Sequence, residues 1–365
     1  MTFLGLVEDY NGVDIEQYSD CIHISSKSYI ERLLKTHGWE KESSRSGPET
    51  TPKRPVAPIS PDCLNSIYKD KGPAEGTIEY QILEKQHGFA YRALLGELMY
   101  SYVTSRPDIG YAITTLSKFA SNPTGEHYHH LKGVAKYLRR TKSWGIKFVR
   151  PSTLSGLPQS VLEQPDQLPD ELPDFTPNIS DTSFNCFVNA AHGNNLRKRR
   201  STTGYAITYS GGAIVYKSKT QSLTASSSTE AEFIAAYDAA KAVRYLRFVL
   251  KELGFPEQEP TKIYIDNQSA LKIINDNQSP TVRTRHMDIR YFCIQDWKEN
   301  GDILMHHIPG VINPSDDLTK PLGWVLHSRH CRRIMGHHES IPVSSSNIKD
   351  PLAKDPGRVL EIGNR

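Results

Sequence analysis

The sequence predicts an α+β chain: a helical N-terminal part, then a mixed five-stranded sheet with helices packed on it. Three observations predict it. Apolar residues recur at helical spacing from Thr77 to Phe148. Three alternating runs, Phe184–Ala190, Thr202–Tyr209 and Ala213–Ser218, follow one another, the last two joined by a short turn. A long amphipathic stretch, Thr229–Leu253, then opens a series of strand-like and helix-like runs. An antiparallel meander leading into βα units makes a mixed sheet covered by helices.

Taken in order, Cys21-Ile22-His23-Ile24 reads as a strand, and Ser28–Thr36 as a helix with Ile30, Leu33 and Leu34 on one face. Residues 1–40 form a first segment. Residues 41–76 are polar and rich in Pro, Ser and Gly, and are expected to be a flexible linker. Residues 77–150 are expected to be a helical bundle. Its stripes are Tyr91, Leu94, Leu95, Leu98 and Met99, then Ile109, Ala112, Ile113, Leu116 and Phe119, then Leu131, Val134, Ala135 and Leu138. Arg106-Pro107-Asp108 and Asn122-Pro123-Thr124 break and restart the pattern. Residues 151–180, acidic and proline-rich, read as a second linker.

The β-rich domain is placed at 181–323. Gly211-Gly212 turns the second strand into the third, and Gly254 stops the long helix. Ile263–Ile265 and Ile303–Ile308 are the fourth and fifth strands, Gln268–Asn275 and Arg290–Glu299 are helices, and a last short helix begins near Pro314. Residues 324–365 are expected to be a basic and then disordered tail.

The chain has 365 residues, 37% hydrophobic and 23% charged, enough for two domains with real cores. A net charge of +3 says little about partners. The local runs Leu196-Arg197-Lys198-Arg199-Arg200 and Arg329-His330-Cys331-Arg332-Arg333 read equally well as solvated surface or as phosphate contacts. Five scattered cysteines without a CxxC pair imply neither a zinc knuckle nor a disulfide framework. The N-terminus lacks a basic start followed by a long apolar core, and no apolar run approaches the ~20 residues of a membrane helix. A soluble, intracellular protein with no membrane partner is expected.

Carboxylates recur where a metal-dependent nuclease would want them. Glu232 lies in the first turn of the long helix, Asp266 ends the fourth strand, and Asp316 begins a late segment beside a rival, Asp317. Carboxylates on such elements can converge on divalent ions that cut a phosphodiester bond. Hard ions such as magnesium prefer anionic oxygens. Glu230 points away from Glu232, because residues two apart do not share a helix face. Helix capping for Glu232 and Asp316, and a strand-end turn for Asp266, are the plain alternatives.

Several ordered motifs resemble one family. Tyr91–Tyr100 and Thr104–Ile109 look like the segment after the polymerase palm in copia-type retrotransposon polyproteins. Arg200–Tyr205, Ser228–Glu232, Asp266–Ala270, His286–Tyr291 and Asp317–Leu322 resemble that family's ribonuclease H domain. The resemblance runs from about Phe3 to Leu322. It implies the tail of a reverse transcriptase, thumb- or connection-like at 77–150, and then a ribonuclease H-like domain. The family's aromatic-x-Asp-Asp polymerase motif has no counterpart here, so no polymerase chemistry is expected.

The implied activity is hydrolysis of the RNA strand of RNA–DNA hybrids, with two magnesium or manganese ions if the site is intact. The family's four carboxylates map onto Asn189, Glu232, Asp266 and Asp316. The first is an amide, which brings an oxygen but no charge, so impaired cleavage is expected. Loss of one charge from a cluster holding two dications costs several kcal/mol of stabilisation. His192 is a poor magnesium ligand, and Asp181 lies too far upstream to substitute. Arg197, Lys198, Arg199 and Arg200 are candidates for hybrid phosphates; a charged hairpin tip is the alternative. The remainder of a retroelement polyprotein is an expected partner, and the cytoplasm (in a virus-like particle) or the nucleus the expected compartment. A catalytically silent binding or interaction module is the competing reading.

Overall fold

A computed structural model describes residues 7–18, 21–41, 57–149, 184–275 and 288–337. The proposed linker at 151–180, the tail beyond His337 and part of the His286–Tyr291 motif lie outside the described residues.

The N-terminal part is not a pure helical bundle. Strands β1 (Asp9–Tyr10), β2 (Val13–Gln17) and β3 (Cys21–Ser25) form a meander, and β4 (Gly145–Val149) returns after the helices to pair with β3. That pairing runs Cys21↔Val149 to Ser25↔Gly145, antiparallel. A pairing so distant in sequence leaves no local signal, so the end of the expected bundle is a strand. Between β3 and β4 lie α1 (Lys27–Thr36), α2 (Leu64–Lys69), α3 (Ile78–His87), α4 (Tyr91–Thr104), α5 (Gly110–Leu116) and α6 (Gly125–Arg140). Ile30, Leu33 and Leu34 of α1 share one core with Leu94, Leu98, Ile113, Leu116, Leu131 and Leu138. Residues 7–41 and 57–149 therefore make one unit rather than two segments.

The expectation of a linker over 41–76 needs correction in its second half. Pro61 opens a 3₁₀ turn that runs into α2, which suits a residue with fixed φ and no N–H to satisfy. Ile59, Ile67 and Tyr68 are buried in the helical core, and the Ile67 carbonyl lies 2.7 Å from His127 Nε2. Residues 42–56 lie outside the described residues.

The second unit carries β5 (Asn185–Ala191), β6 (Thr202–Tyr209), β7 (Gly212–Thr220), α7 (Ser228–Glu252), β8 (Thr261–Ile265), α8 (Gln268–Asn275), α9 (Asp288–Glu299) and β9 (Ile303–His307). Its sheet has the order β7-β6-β5-β8-β9. The first three strands are antiparallel, and β8 and β9 run parallel to β5. A meander followed by two parallel strands, with a long helix after the third strand, is a ribonuclease H-like sheet.

Helix α7 starts where the Ser227 hydroxyl accepts from the Glu230 backbone N–H. Its Ala235, Ala236, Ala239 and Ala240 are fully buried, and small side chains let the helix lie close to the sheet. Alternation in β5 sends Cys186 and Val188 into that core and leaves Asn189 on the other face.

The polar run after Leu322 is not all tail. Helix α10 (Trp324–Ile334) docks at the junction of the two units, with Cys331, Ile334 and Met335 buried. The Lys147 N–H donates to the Met335 carbonyl at 2.8 Å. Arg332 lies over Trp144, and Arg333 lies 4.9 Å over the Phe187 ring. The basic run is thus an amphipathic helix, with Cys331 and Ile334 supplying the buried face. Among the described residues no helix is long and apolar enough to cross a membrane.

Candidate active site

Four elements bring polar groups to one place. Asn189 stands on β5 opposite Gly204 of β6. Glu232 projects from the second turn of α7, and Asp266 follows the last residue of β8. Asp316 sits in a 3₁₀ turn, Pro314–Leu318. Gly204 lets this turn approach: a Cβ there would lie 2.6 Å from Thr319 Cγ2 and 2.8 Å from Leu318 Cβ. Asn313 fixes the turn from its start. Its amide donates to the Val188 carbonyl at 3.0 Å, and its side-chain oxygen accepts from the Ser315 N–H and hydroxyl.

Asp316 is held by two groups. Lys320 places its ammonium 2.9 Å from one carboxyl oxygen, and the Asn189 side-chain amide donates to the other. The same amide nitrogen reaches Thr319 Oγ1 at 3.0 Å. Asn189 therefore acts as a donor toward the fourth carboxylate. The expectation that it offers its oxygen in place of a ligand does not describe this arrangement. An amide presents both a donor and an acceptor, and its neighbours decide which is used.

The carboxylates feel one another. Burial pushes Glu232 up to about 8, and the charges of Asp266 and then Asp316 add to it, with the Ala190 backbone and Lys320 opposing. Asp266 is raised by burial and next by Asp316. Asp316 is raised by burial, with Lys320 and Asn189 working against it. One cation, Lys320, thus moderates all three. Glu232 Oε2 is buried with no hydrogen-bond partner.

The structure therefore brings Asn189, Glu232, Asp266 and Asp316 together. Asp317 is directed elsewhere: its Oδ1 lies 2.6 Å from His327 Nδ1. Residues three per turn in a 3₁₀ helix point about 120° apart, so adjacent carboxylates face different neighbours. Among the described residues no three His, Cys, Asp or Glu side chains close on one point tightly enough to grip a metal ion. The donor set still suits a hard divalent cation, being all oxygen, anionic, short of positive charge and with one buried oxygen unpartnered.

The basic run divides. Lys198 and Arg199 are exposed, and Arg200 is half-buried. Arg197 is committed within the chain: its guanidinium lies 4.9 Å over the Phe119 ring and donates to the Asp70 carbonyl at 2.6 Å. Gly204, Asn313, Thr319 and Lys320 were not singled out from the sequence as site residues. The Asn313-Pro314 dipeptide marks a turn, and Gly204, Thr319 and Lys320 lie inside the Arg200–Tyr205 and Asp317–Leu322 motifs.

No family model matches the chain. The chain is 29% identical to the Retrovirus-related Pol polyprotein from transposon TNT 1-94 of Nicotiana tabacum over 342 residues, 93% of this chain and 22% of that protein. Over most of its length the chain is similar to the Pol polyproteins of copia-type retrotransposons. The chain spans about a fifth of the length of these Pol polyproteins. It is also 31% identical to secreted RxLR effector protein 161 of Plasmopara viticola, over 43% of this chain and 90% of that protein. The solved LC11-RNase H1 isolated from compost is 16% identical, covers 38% of this chain and 93% of its own, and superposes with a TM-score of 0.30. The fold assignment rests on the strand order, not on that superposition.

Proposed function

We propose that the second unit of this chain is a ribonuclease H-type site for hydrolysing the RNA strand of RNA–DNA hybrids, impaired by Asn189. The observation that carries the reading is the convergence of Glu232, Asp266 and Asp316 with Asn189 at one end of β5 and β8, their charges raising one another's proton affinity.

Glu232, Asp266 and Asp316 would hold magnesium or manganese, up to two ions in an intact site. A bound divalent ion supplies Lewis acidity to the phosphate and activates water. The chain's own residues do the rest. The Asn313 and Gly204 contacts hold the Asp316 turn against β5 and β6, and α7 presents Glu232 at its N-terminal end, where the helix dipole favours negative charge. Lys320 offsets repulsion among the three carboxylates. Lys198, Arg199 and Arg200 remain candidates for hybrid phosphates, and discrimination of RNA would come from 2′-hydroxyl contacts. The rest of a polyprotein is the natural partner, and the cytoplasm or nucleus the compartment we assign.

The second reading, a hybrid-binding module without turnover, is favoured by one observation: the Asn189 amide nitrogen, not its oxygen, faces Asp316. A cleavage assay with magnesium separates the two. The natural chain is expected to cleave a hybrid slowly or not at all. Asn189→Asp is expected to raise the rate roughly a thousandfold, the equivalent of about 4 kcal/mol of barrier. Adding Asp266→Asn should abolish the gain. Efficient cleavage by the natural chain, unchanged by Asn189→Asp, would remove Asn189 from the site. Salt-dependent hybrid binding with no cleavage by either form would select the binding module.

A further inference from the structure

Behind the carboxylate site runs a second set of buried polar side chains, each bonded to the next, with Asp317 Oδ2 left unpartnered at its end. Arg106, with no exposed surface, donates to both carboxyl oxygens of Asp108 at 2.9 and 2.6 Å, and to the Thr141 carbonyl and hydroxyl at 2.7 and 2.6 Å. The Tyr137 hydroxyl donates to Asp108 Oδ2 at 2.7 Å and lies 3.0 Å from His327 Nε2. His327 Nδ1 lies 2.6 Å from Asp317 Oδ1. Arg106, Asp108 and Tyr137 belong to the helical unit. His327 is on α10, and Asp317 is the immediate neighbour of Asp316.

The proton inventory follows from the bonds. A phenol has one proton, and Tyr137 gives it to Asp108, so Tyr137 accepts from His327 Nε2. Nδ1 lies 2.6 Å from Asp317 Oδ1, so one proton is held between the ring and that carboxyl. The bonds run unbroken from Arg106 through Asp108, Tyr137 and His327 to Asp317.

Charges this deep are a poor source of stability, since well-packed apolar residues of similar volume usually do as well or better. What such a network supplies is position, because each member satisfies the next only in one geometry. We propose that the chain Arg106–Asp108–Tyr137–His327–Asp317 is a positioning relay that fixes the Pro314–Leu318 turn, and with it Asp316, to the helical unit. One 3₁₀ turn then serves both units: Asp317 faces the relay and Asp316 faces Asn189 and Lys320. The geometry of the candidate active site is set by both units, which gives the helical part a role in the second unit's chemistry. This inference rests on the reading of Asp316 as a site residue.

The test uses the full chain and Tyr137→Phe, which removes one hydroxyl and keeps the ring. Ile113→Val, in the same helical core and outside the relay, is the control for general loosening. Three readouts are taken: imidazole nitrogen resonances of His327, amide hydrogen exchange, and manganese affinity by calorimetry. The Asp316, Thr319 and Lys320 amides, which bond to the Asn313 and Asp316 carbonyls, report on the turn.

In Tyr137→Phe the His327 Nε2 signal should change, and exchange at those three amides should rise about tenfold or more while β6 amides stay protected. Manganese affinity should fall about tenfold, the scale of lost outer-shell support. Ile113→Val should move none of these. Unchanged exchange at the turn, or an equal response in Ile113→Val, would overturn the relay. If the turn responds but the natural chain binds no manganese, the relay stands and the ribonuclease H reading falls.

Discussion

Two buried carboxylates on either side of one turn behave in opposite ways. Asp108 has no exposed side-chain surface, yet its carboxyl is held below the usual range: burial opposes ionisation, and the Arg106 guanidinium with its two hydrogen bonds outweighs it. Glu232 is less deeply buried, yet burial pushes it up to about 8, and the charges of Asp266 and Asp316 add to the shift where Asp108 has a guanidinium to oppose it. The contrast shows which polar cluster is structural and which is unfinished. Asp108 has the Arg106 guanidinium as its counter-charge, whereas the carboxylates of the site raise one another with Lys320 opposing.

The largest expected effect breaks the satisfied side. Asp108→Asn should destabilise the chain by about 3–5 kcal/mol, because Arg106 is left buried without a counter-charge. Urea denaturation with unchanged slope is the measurement. A loss below ~1 kcal/mol would mean that Arg106 finds another partner, and the contrast with Glu232 would collapse.

Glu232→Gln should act in the opposite direction. With its folded pKa raised to about 8 from 4.5, Glu232 keeps its proton in the folded chain after the unfolded chain has released it. Between about pH 4.5 and 8 the unfolded state binds fewer protons, so stability falls as pH rises, by up to about 1.4 kcal/mol per pH unit. Above about pH 8 the penalty is constant. Without divalent ions, Glu232→Gln should therefore be the more stable protein at pH 8, by roughly 1–3 kcal/mol, and equal to the natural chain at pH 4.5. Parallel stability–pH curves for the two proteins would show that Glu232 is not held among like charges.

How much of this was legible beforehand follows from distance along the chain. Glu232, Asp266 and Asp316 could be placed because each sits at an element boundary that periodicity or a motif marks. The five strands of the second sheet could be named for the same reason, since alternation is a local property. Strand β4 could not, because its partner β3 lies some 120 residues earlier and pairing leaves no mark on either. Helix α2 was hidden by composition: prolines and serines surround Ile67 and Tyr68, yet those two residues reach the core. The relay was invisible, since Tyr137 and His327 meet across 190 residues. The direction of the Asn189 amide was equally hidden, because Thr319 and Asp316 determine it.

The smallest expected effect concerns the basic run, where the same distinction between committed and uncommitted charge applies. Arg197 and Lys198 are neighbours, and on composition they are interchangeable candidates for phosphate contact. The structure separates them. Arg197 stacks on Phe119 and bonds the Asp70 carbonyl, so its guanidinium is used within the chain, whereas Lys198 extends into solvent. Arg197→Ala should cost about 0.5–1 kcal/mol of stability, the scale of a surface cation–π contact, and leave the salt dependence of hybrid binding unchanged. Lys198→Ala should leave stability unchanged and lower the slope of log affinity against log salt by about one, if its ammonium releases one counterion on binding. Denaturation curves and hybrid titrations at several salt concentrations measure both. The reverse pattern would free Arg197 for the substrate in solution and make its contact with the helical unit dispensable.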